Sequence, residues 1–516
     1  MKKIFKRYLL VLGVGSAIMF SSCQKYLDVN VDPNNPSSAD EKLLLPAAEF
    51  AVGIGLGDRY NNITNIWAQY WVGGPGVSQT PFDRHELTGL NLDRPWSYFY
   101  SSAGKDLATL IKSPKPVYRG IAKILTAYNL QLLVDLHGDV PFSEAFKGAI
   151  EDGGNIAPKF DSQTDIYDAI IGLINSGQAD ILGADQTLDE FPFAQDLIYG
   201  DNFWDIYGYS ADGHENDPDL YNIQYGWNTF GNSLKLKIWL RQANAPGRSA
   251  AAQDSVAALF DNGAAFADWE TQINGFSGAS GASNSNPLFA NFENSLKNFY
   301  VGTTTTIDLL LERGDPRIDN FYTPASTGDD EGLHVGIDPG SAGQPGVPLS
   351  KSEVSTIGSS VYSGSAPVIL LNWSESLFLQ AEAAARGWAV EDDERLFADA
   401  IEAAFIENGY DVDGLGLYRF YYDDTDESSK LKSIAIEKWI SMNGRQPTEA
   451  WIECRRFDTP GNNIFRGVGG LFKSPTANVL GTNIYPSMFI YPQNELNLNG
   501  NAPTPTVVTG KVFWDN

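Results

Sequence analysis

Apolar residues recur at three- and four-residue spacing along most of this chain, so the pattern predicts a mainly helical protein. Between Val117 and Leu136, the positions Val117, Ile121, Ile124, Leu125, Tyr128, Leu132 and Leu136 share one face, and Gly138 with Pro141 ends the run. Ile166, Ile170, Leu173 and Ile174 repeat the pattern within residues 163–182, and residues 231–242 predict a third helix. A further helix starts at Asn372 as N-cap with Glu375 as its capping-box partner, runs through Leu377, Phe378, Ala381, Ala384 and Ala385, and stops at Gly387. Helices over 394–408, 429–442 and 446–456 follow. Alanines at the crossings permit close contact, which points to tetratricopeptide-like hairpins, although no strict 34-residue repeat is present. Residues 273–290 and 323–366 are rich in Gly, Ser, Asn and Pro without periodicity, and predict long irregular loops.

The first residues follow another pattern. Lys2, Lys3, Lys6 and Arg7 precede an apolar run from Tyr8 to Phe20, which is too short to span a bilayer and suits a secretory signal. Ser21 and Ser22 then lead to Cys23, an arrangement like a bacterial lipobox, in which the thiol is diacylated after cleavage. Acyl chains contribute about 0.8 kcal/mol per buried CH₂ and hold a protein on a membrane without a spanning helix. Expected divisions are therefore a signal peptide over 1–22, a lipidated tether over 23–40 and one globular domain over 41–516. The tether is polar and turn-rich, with Asp32-Pro-Asn-Asn-Pro36 at its centre.

Charge and cysteine usage narrow the function. Removing residues 1–22 leaves 32 basic against 64 acidic residues, a balance that repels nucleic acid and anionic headgroups. Only Cys23 and Cys454 are present, so no disulfide framework is available if Cys23 carries lipid, and stability must come from a packed core. His85, His137, His214 and His334 lack metal-ligand spacing, and no nucleophile elbow or Walker-type glycine loop occurs. Asp411-Val-Asp413-Gly414 begins like a calcium loop but lacks the later ligands. No cofactor is implied. Twelve Trp, 23 Tyr and 28 Phe, by contrast, make the aromatic content high.

Order and number of short motifs then carry a resemblance. Tyr26-Leu-Asp, Asp135-Leu-His-Gly-Asp-Val-Pro-Phe-Ser-Glu144-Ala, Asn232-Ser-Leu-Lys-Leu, Gly314-Asp-Pro-Arg317, the Ser374–Trp388 helix, Lys438-Trp-Ile, Glu449-Ala-Trp451 with Arg455-Arg456, Tyr491-Pro and Val512-Phe-Trp-Asp515 together resemble the SusD/RagB family, specifically its second, SusD-like branch. The resemblance implies a mainly α fold of tetratricopeptide-like hairpins supporting irregular loops. It also implies an outer-membrane lipoprotein that binds oligosaccharide, or in some members peptide, and delivers it to a SusC-like TonB-dependent transporter. A surface glycan-degrading enzyme and a purely structural transporter lid are the alternatives. Candidate ligand-stacking rings on expected loops are Trp71, Tyr207, Tyr209, Tyr225, Tyr300, Tyr322 and Tyr362. Trp439, Trp451, Arg455 and Arg456 are expected to hold the fold. Two features depart from the family: Met488 where an Arg is common, and a Tyr- and Asp-rich stretch over 205–227 that reads as an insertion forming one wall of the ligand site.

Overall fold

The computed structural model describes residues 40–76, 81–148, 153–185, 189–200, 218–279, 282–291, 299–359, 361, 363–410, 421–504 and 507–515. Its helices carry the expected periodicity into four pairs. α1 (Glu41–Gly55) starts at Asp40, whose carboxylate accepts from Lys42 N at 3.0 Å, and α2 (Asn61–Trp67) follows. α3 (Pro116–His137) packs along α4 (Gln163–Leu182), and α5 (Pro218–Arg241) along α6 (Ser249–Asp261). After α7 (Thr304–Arg313) come α8 (Trp373–Ala385) against α9 (Asp393–Ile406), and α10 (Glu427–Ser441) against α11 (Pro447–Phe457). The α3/α4 crossing is close because two glycines face each other. A Cβ on Gly120 would lie 2.6 Å from Gly177 O, and one on Gly177 2.7 Å from Gly120 O.

Two local expectations change. α5 begins well before residue 231, because Ile223, Trp227, Phe230 and Leu234 form a buried stripe at helical spacing. Residues 218–227 of the expected insertion are therefore helix, and residues 205–217 lie outside the described residues. At α8, Asn372 is the N-cap by position, yet its side chain makes no cap bond. Glu407, just past α9, reaches across instead and accepts from Ser374 N at 2.9 Å and Ser374 Oγ at 2.8 Å. Glu375 is then free to pair with Lys237 of α5 at 2.7 Å.

Short strands tie the loops to the helices. β1 (Trp71–Gly73), β5 (Tyr300–Gly302), β7 (Thr356–Ile357) and β6 (Tyr322–Thr323) form an antiparallel sheet in that order. β4 (Thr271–Ile273) pairs with β8 (Val368–Leu371), and β2 (Val140–Pro141) with β3 (Phe160–Asp161).

The helical core contains charge as well as apolar surface. Arg241 on α5 meets Asp135 on α3 at 3.1 Å and Glu449 on α11 at 2.5 Å, and also bonds Glu453. Lys438 on α10 reaches Glu453 at 2.9 Å, while Arg456 joins Glu453 at 2.6 Å to Glu382 of α8 at 2.5 Å. Burial opposes the charge on Glu453, but Arg456, Lys438 and Arg241 together hold its carboxyl well below the usual range. Trp439, Trp451, Arg455 and Arg456 are all buried, as fold-holding residues should be.

Candidate ligand-binding groove

Beside the α3/α4 pair, residues 93–110 form successive helical turns, with a wider π-type turn over Tyr98–Gly104. Trp96 and Tyr100 are four residues apart and so share a face. Their ring centroids are 4.7 Å apart at 36°. Tyr100 in turn lies 6.0 Å from Phe146 at 32°, and its hydroxyl donates to Pro141 O at 2.8 Å. The three rings line an open groove. Trp96 is buried in its floor, Tyr100 is half-buried, and Phe146 is 41% exposed.

The floor is uncharged. Trp96 meets His137 edge-on at 5.2 Å. His137 Nδ1 lies 3.0 Å from Ile490 O, and Nε2 lies 2.9 Å from the Tyr60 hydroxyl. A carbonyl can only accept, so Nδ1 carries the proton and Nε2 accepts from Tyr60. Burial lowers the pKa of His137 to about 3 and keeps the ring neutral.

The motif from Asp135 to Ala145 builds one wall. Gly138 leaves α3 at φ 87, and Asp139 Oδ1 accepts from Gln163 N at 3.1 Å. Asp161 on β3 then accepts from Phe142 N at 3.0 Å, Ser143 N at 2.7 Å and Ser143 Oγ at 2.7 Å. Burial raises the Asp161 pKa, but the Ser143 bonds outweigh it and leave the carboxylate below its ordinary value. Glu144 Oε2 accepts from Asn155 Nδ2 at 3.0 Å and Lys159 N at 3.1 Å, which folds the following loop back onto the wall. The C-terminal segment forms the opposite wall. Asn494 N donates to Asp93 Oδ1 at 2.8 Å, and Asn499 Nδ2 to Pro158 O at 2.9 Å. Glu495, Asn494, Lys105 and Lys112 give the rim its donors and acceptors. A small side cleft adjoins the groove and shares Tyr100, Ala108, Pro141 and Phe146 with it.

A family model described as "Starch-binding associating with outer membrane" matches residues 33–210 and 213–492. The chain belongs to the SusD-like family. Solved structures agree on the fold. A chitin-binding protein aligns with a TM-score of 0.69 and 21% identity, covering 92% of this chain and all of its own. A chitin-binding SusD homolog from Flavobacterium johnsoniae gives 0.64 and 18%, over 90% of this chain and 98% of its own. A SusD homolog from Bacteroides thetaiotaomicron VPI-5482 gives 0.67 and 17%, over 93% and 99%. No curated protein matches the chain.

Within this SusD-like frame the sequence candidates fall into three groups. Trp71, Tyr300 and Tyr322 are at most 2% exposed and offer no face to a ligand here. β1 pairing with β5 stacks Trp71 on Tyr300 at 6.0 Å, and the Tyr322 hydroxyl donates to Tyr70 O at 2.9 Å. Expected on loops, these rings sit on strands that close over the core. Tyr225 is half-buried on α5, with its hydroxyl donating to Asp268 at 2.8 Å. Tyr207, Tyr209, Tyr362 and the acylation candidate Cys23 lie outside the described residues, as do Asp411–Gly414. Sequence reasoning passed over Trp96, Tyr100 and Phe146. The signal was the dense aromatic run Trp96-Ser-Tyr-Phe-Tyr100, whose first and last rings are at helical i, i+4 spacing. Among the described residues no cluster of His, Cys, Asp and Glu could hold a metal ion, and no helix is long and apolar enough to cross a membrane.

Proposed function

We propose that this SusD-like protein captures oligosaccharides at the cell surface in the Trp96–Tyr100–Phe146 groove and delivers them to a SusC-like TonB-dependent transporter. The observation that carries this reading is the aromatic track with a polar rim. Sugar rings have apolar C–H faces that stack on aromatic rings, and their hydroxyls exchange hydrogen bonds with side chains such as Asn494 and Glu495. The family's starch-binding description and the chitin-binding structural relatives support a glycan rather than a peptide. The family description and the names of the structural relatives are those of binding proteins, so we read the groove as a binder. Lipid on Cys23 would keep the groove at the membrane beside its transporter.

Calorimetric titration with α-1,4-glucose and β-1,4-N-acetylglucosamine oligomers tests the groove. Tyr100→Ala and Phe146→Ala should each weaken binding roughly three- to tenfold, the equivalent of about 0.5–1.5 kcal/mol of stacking per ring. Unchanged affinity in both variants, or shortened oligomers in the incubation, would refute the reading. For the partnership, Cys23→Ala should leave the outer-membrane fraction, and the wild type should crosslink to a TonB-dependent barrel. Monomer alone after crosslinking at native expression would remove the transporter from the proposal.

A further inference from the structure

A polar stripe runs beside the groove's rings. Ser97, Ser101, Lys105 and Thr109 follow one another at four-residue spacing, Lys112 comes one turn further on, and all five are exposed and line the groove. Side chains at that spacing share a face, so they form one wall. The stripe is displaced by one residue from Trp96 and Tyr100, which turns it roughly 100° around the same helical axis. At Lys105 the two features meet, because the Phe146 ring lies over Gly104, the residue before it. The charge of Lys105 is not taken up along the helix: Ser101, Ser102, Ala108 and Thr109, three and four residues away, include no acid. Thr109 spends its hydroxyl proton on Lys105 O at 3.1 Å, whereas the Ser101 hydroxyl is exposed one turn back. The groove's carboxylates gather at the other end. Asp93, about three turns before Lys105, accepts from Asn494 N at 2.8 Å, and Glu495 accepts from Asn499 Nδ2 at 2.8 Å.

We infer that Lys105 is an anion subsite of the groove, so that the ligand is an acidic oligosaccharide containing uronic acids. The inference rests on the groove being the glycan site, and it adds the class of sugar. An ammonium only donates hydrogen bonds and an ionised carboxylate only accepts them, so the two are complementary, and the bond is stronger for carrying charge. The carboxylate of a uronic acid leaves the sugar ring equatorially, in the plane of the ring. A ring lying flat on Tyr100 and Phe146 therefore turns its carboxylate toward the polar wall and not toward the aromatic faces. There it accepts from Lys105 Nζ, with the Ser101 hydroxyl as a second donor. The chain's net charge of −28 repels such a ligand at a distance, but ions screen that repulsion beyond about 8 Å at physiological ionic strength. Groups in contact then decide the outcome, and the nearest is a cation.

The test compares three tetramers of one linkage by calorimetry on the purified protein: β-1,4-glucuronate, its methyl ester and β-1,4-glucose. They share ring and linkage and differ only in the group at the sixth carbon. At low salt the acid should bind roughly three- to tenfold more tightly than either neutral tetramer, the worth of one exposed charge-assisted contact, and added salt should shrink that advantage. Lys105→Gln should bring the acid to the level of its methyl ester without lowering the melting temperature, and Lys105→Arg should keep the preference. Equal affinity for acid and ester in the wild type overturns the proposal. So does a preference that survives in Lys105→Gln, because another group then holds the carboxylate. If the neutral tetramers bind as well as the acid and Phe146→Ala weakens them, only the class of sugar falls and the groove remains a glycan site. Should none of the three bind, the acid subsite falls, and the α-1,4-glucose and N-acetylglucosamine oligomers decide the groove.

Discussion

Phe146 has a positive φ of 61, which a bulky L-residue adopts at a cost of about 1–2 kcal/mol. That backbone turns its ring over the helical turn ending at Gly104, where there is no side chain to oppose it. A Cβ on Gly104 would stand 2.5 Å from Phe146 Cζ and 2.6 Å from Phe99 O. Gly104 thus sets where the groove's outer ring rests. Gly104→Ala should force the ring outward and destabilise the fold by roughly 1–3 kcal/mol, the usual range for overpacking. Thermal denaturation will read the second effect and glycan titration the first. If affinity is untouched while stability drops, the position of Phe146 has no part in binding. Nothing in Ala-Phe-Lys-Gly148 distinguishes this phenylalanine in sequence, because its role comes from a contact made 42 residues away along the chain.

At the level of elements, the buried ion network fixes which helix meets which. Arg241 bridges α3, α5 and α11 through Asp135, Glu449 and Glu453, all of them buried. Removing one partner from such a cluster leaves the others charged and unpaired, at a cost of about 3–5 kcal/mol. Arg241→Met should therefore lower the urea midpoint strongly, whereas Lys473→Ala should cost under about 1 kcal/mol, since Lys473 pairs with Asp308 and Asp338 at the surface. Comparable midpoints for the two variants would show that the network adds nothing to stability. Most of these helices were legible in the sequence, because three- and four-residue spacing reports a buried face directly. Two details were not. The Asn372–Glu375 capping box is sound as local chemistry, but Lys237 on a distant helix takes Glu375 and Glu407 supplies the cap. The start of α5 was hidden because residues 205–227 are rich in Tyr, Asn and Asp, which argue for a loop, while the stripe of Ile223, Trp227 and Phe230 crosses that boundary. Aromatic composition pointed to stacking sites, but it could not separate rings that close the β1–β5 pair from rings that line a groove.

Across the whole molecule, the buried His137 and the half-buried Glu407 should drive stability in opposite directions with pH. The His137 pKa falls from 6.5 to about 3, because burial penalises its charged form. Below pH 6.5 the unfolded chain takes up a proton that the folded one refuses, so stability is lost as pH falls. By pH 4 that loss is on the order of 3 kcal/mol from this group. The Glu407 pKa rises from 4.5 to about 7, again through burial and against the bonds from Ser374. Here the folded state holds the proton more tightly, so its contribution is complete below pH 4.5 and disappears as pH rises through 7. Wild type and single variants separate the two. Measured by chemical denaturation from pH 4 to 7.5, the stability of wild type relative to His137→Gln should decrease toward the acid end, and that relative to Glu407→Gln should decrease toward neutral pH. Parallel curves for wild type and His137→Gln would mean that the imidazole is protonated in the folded protein, and the uncharged floor beneath Trp96 would then have to be abandoned.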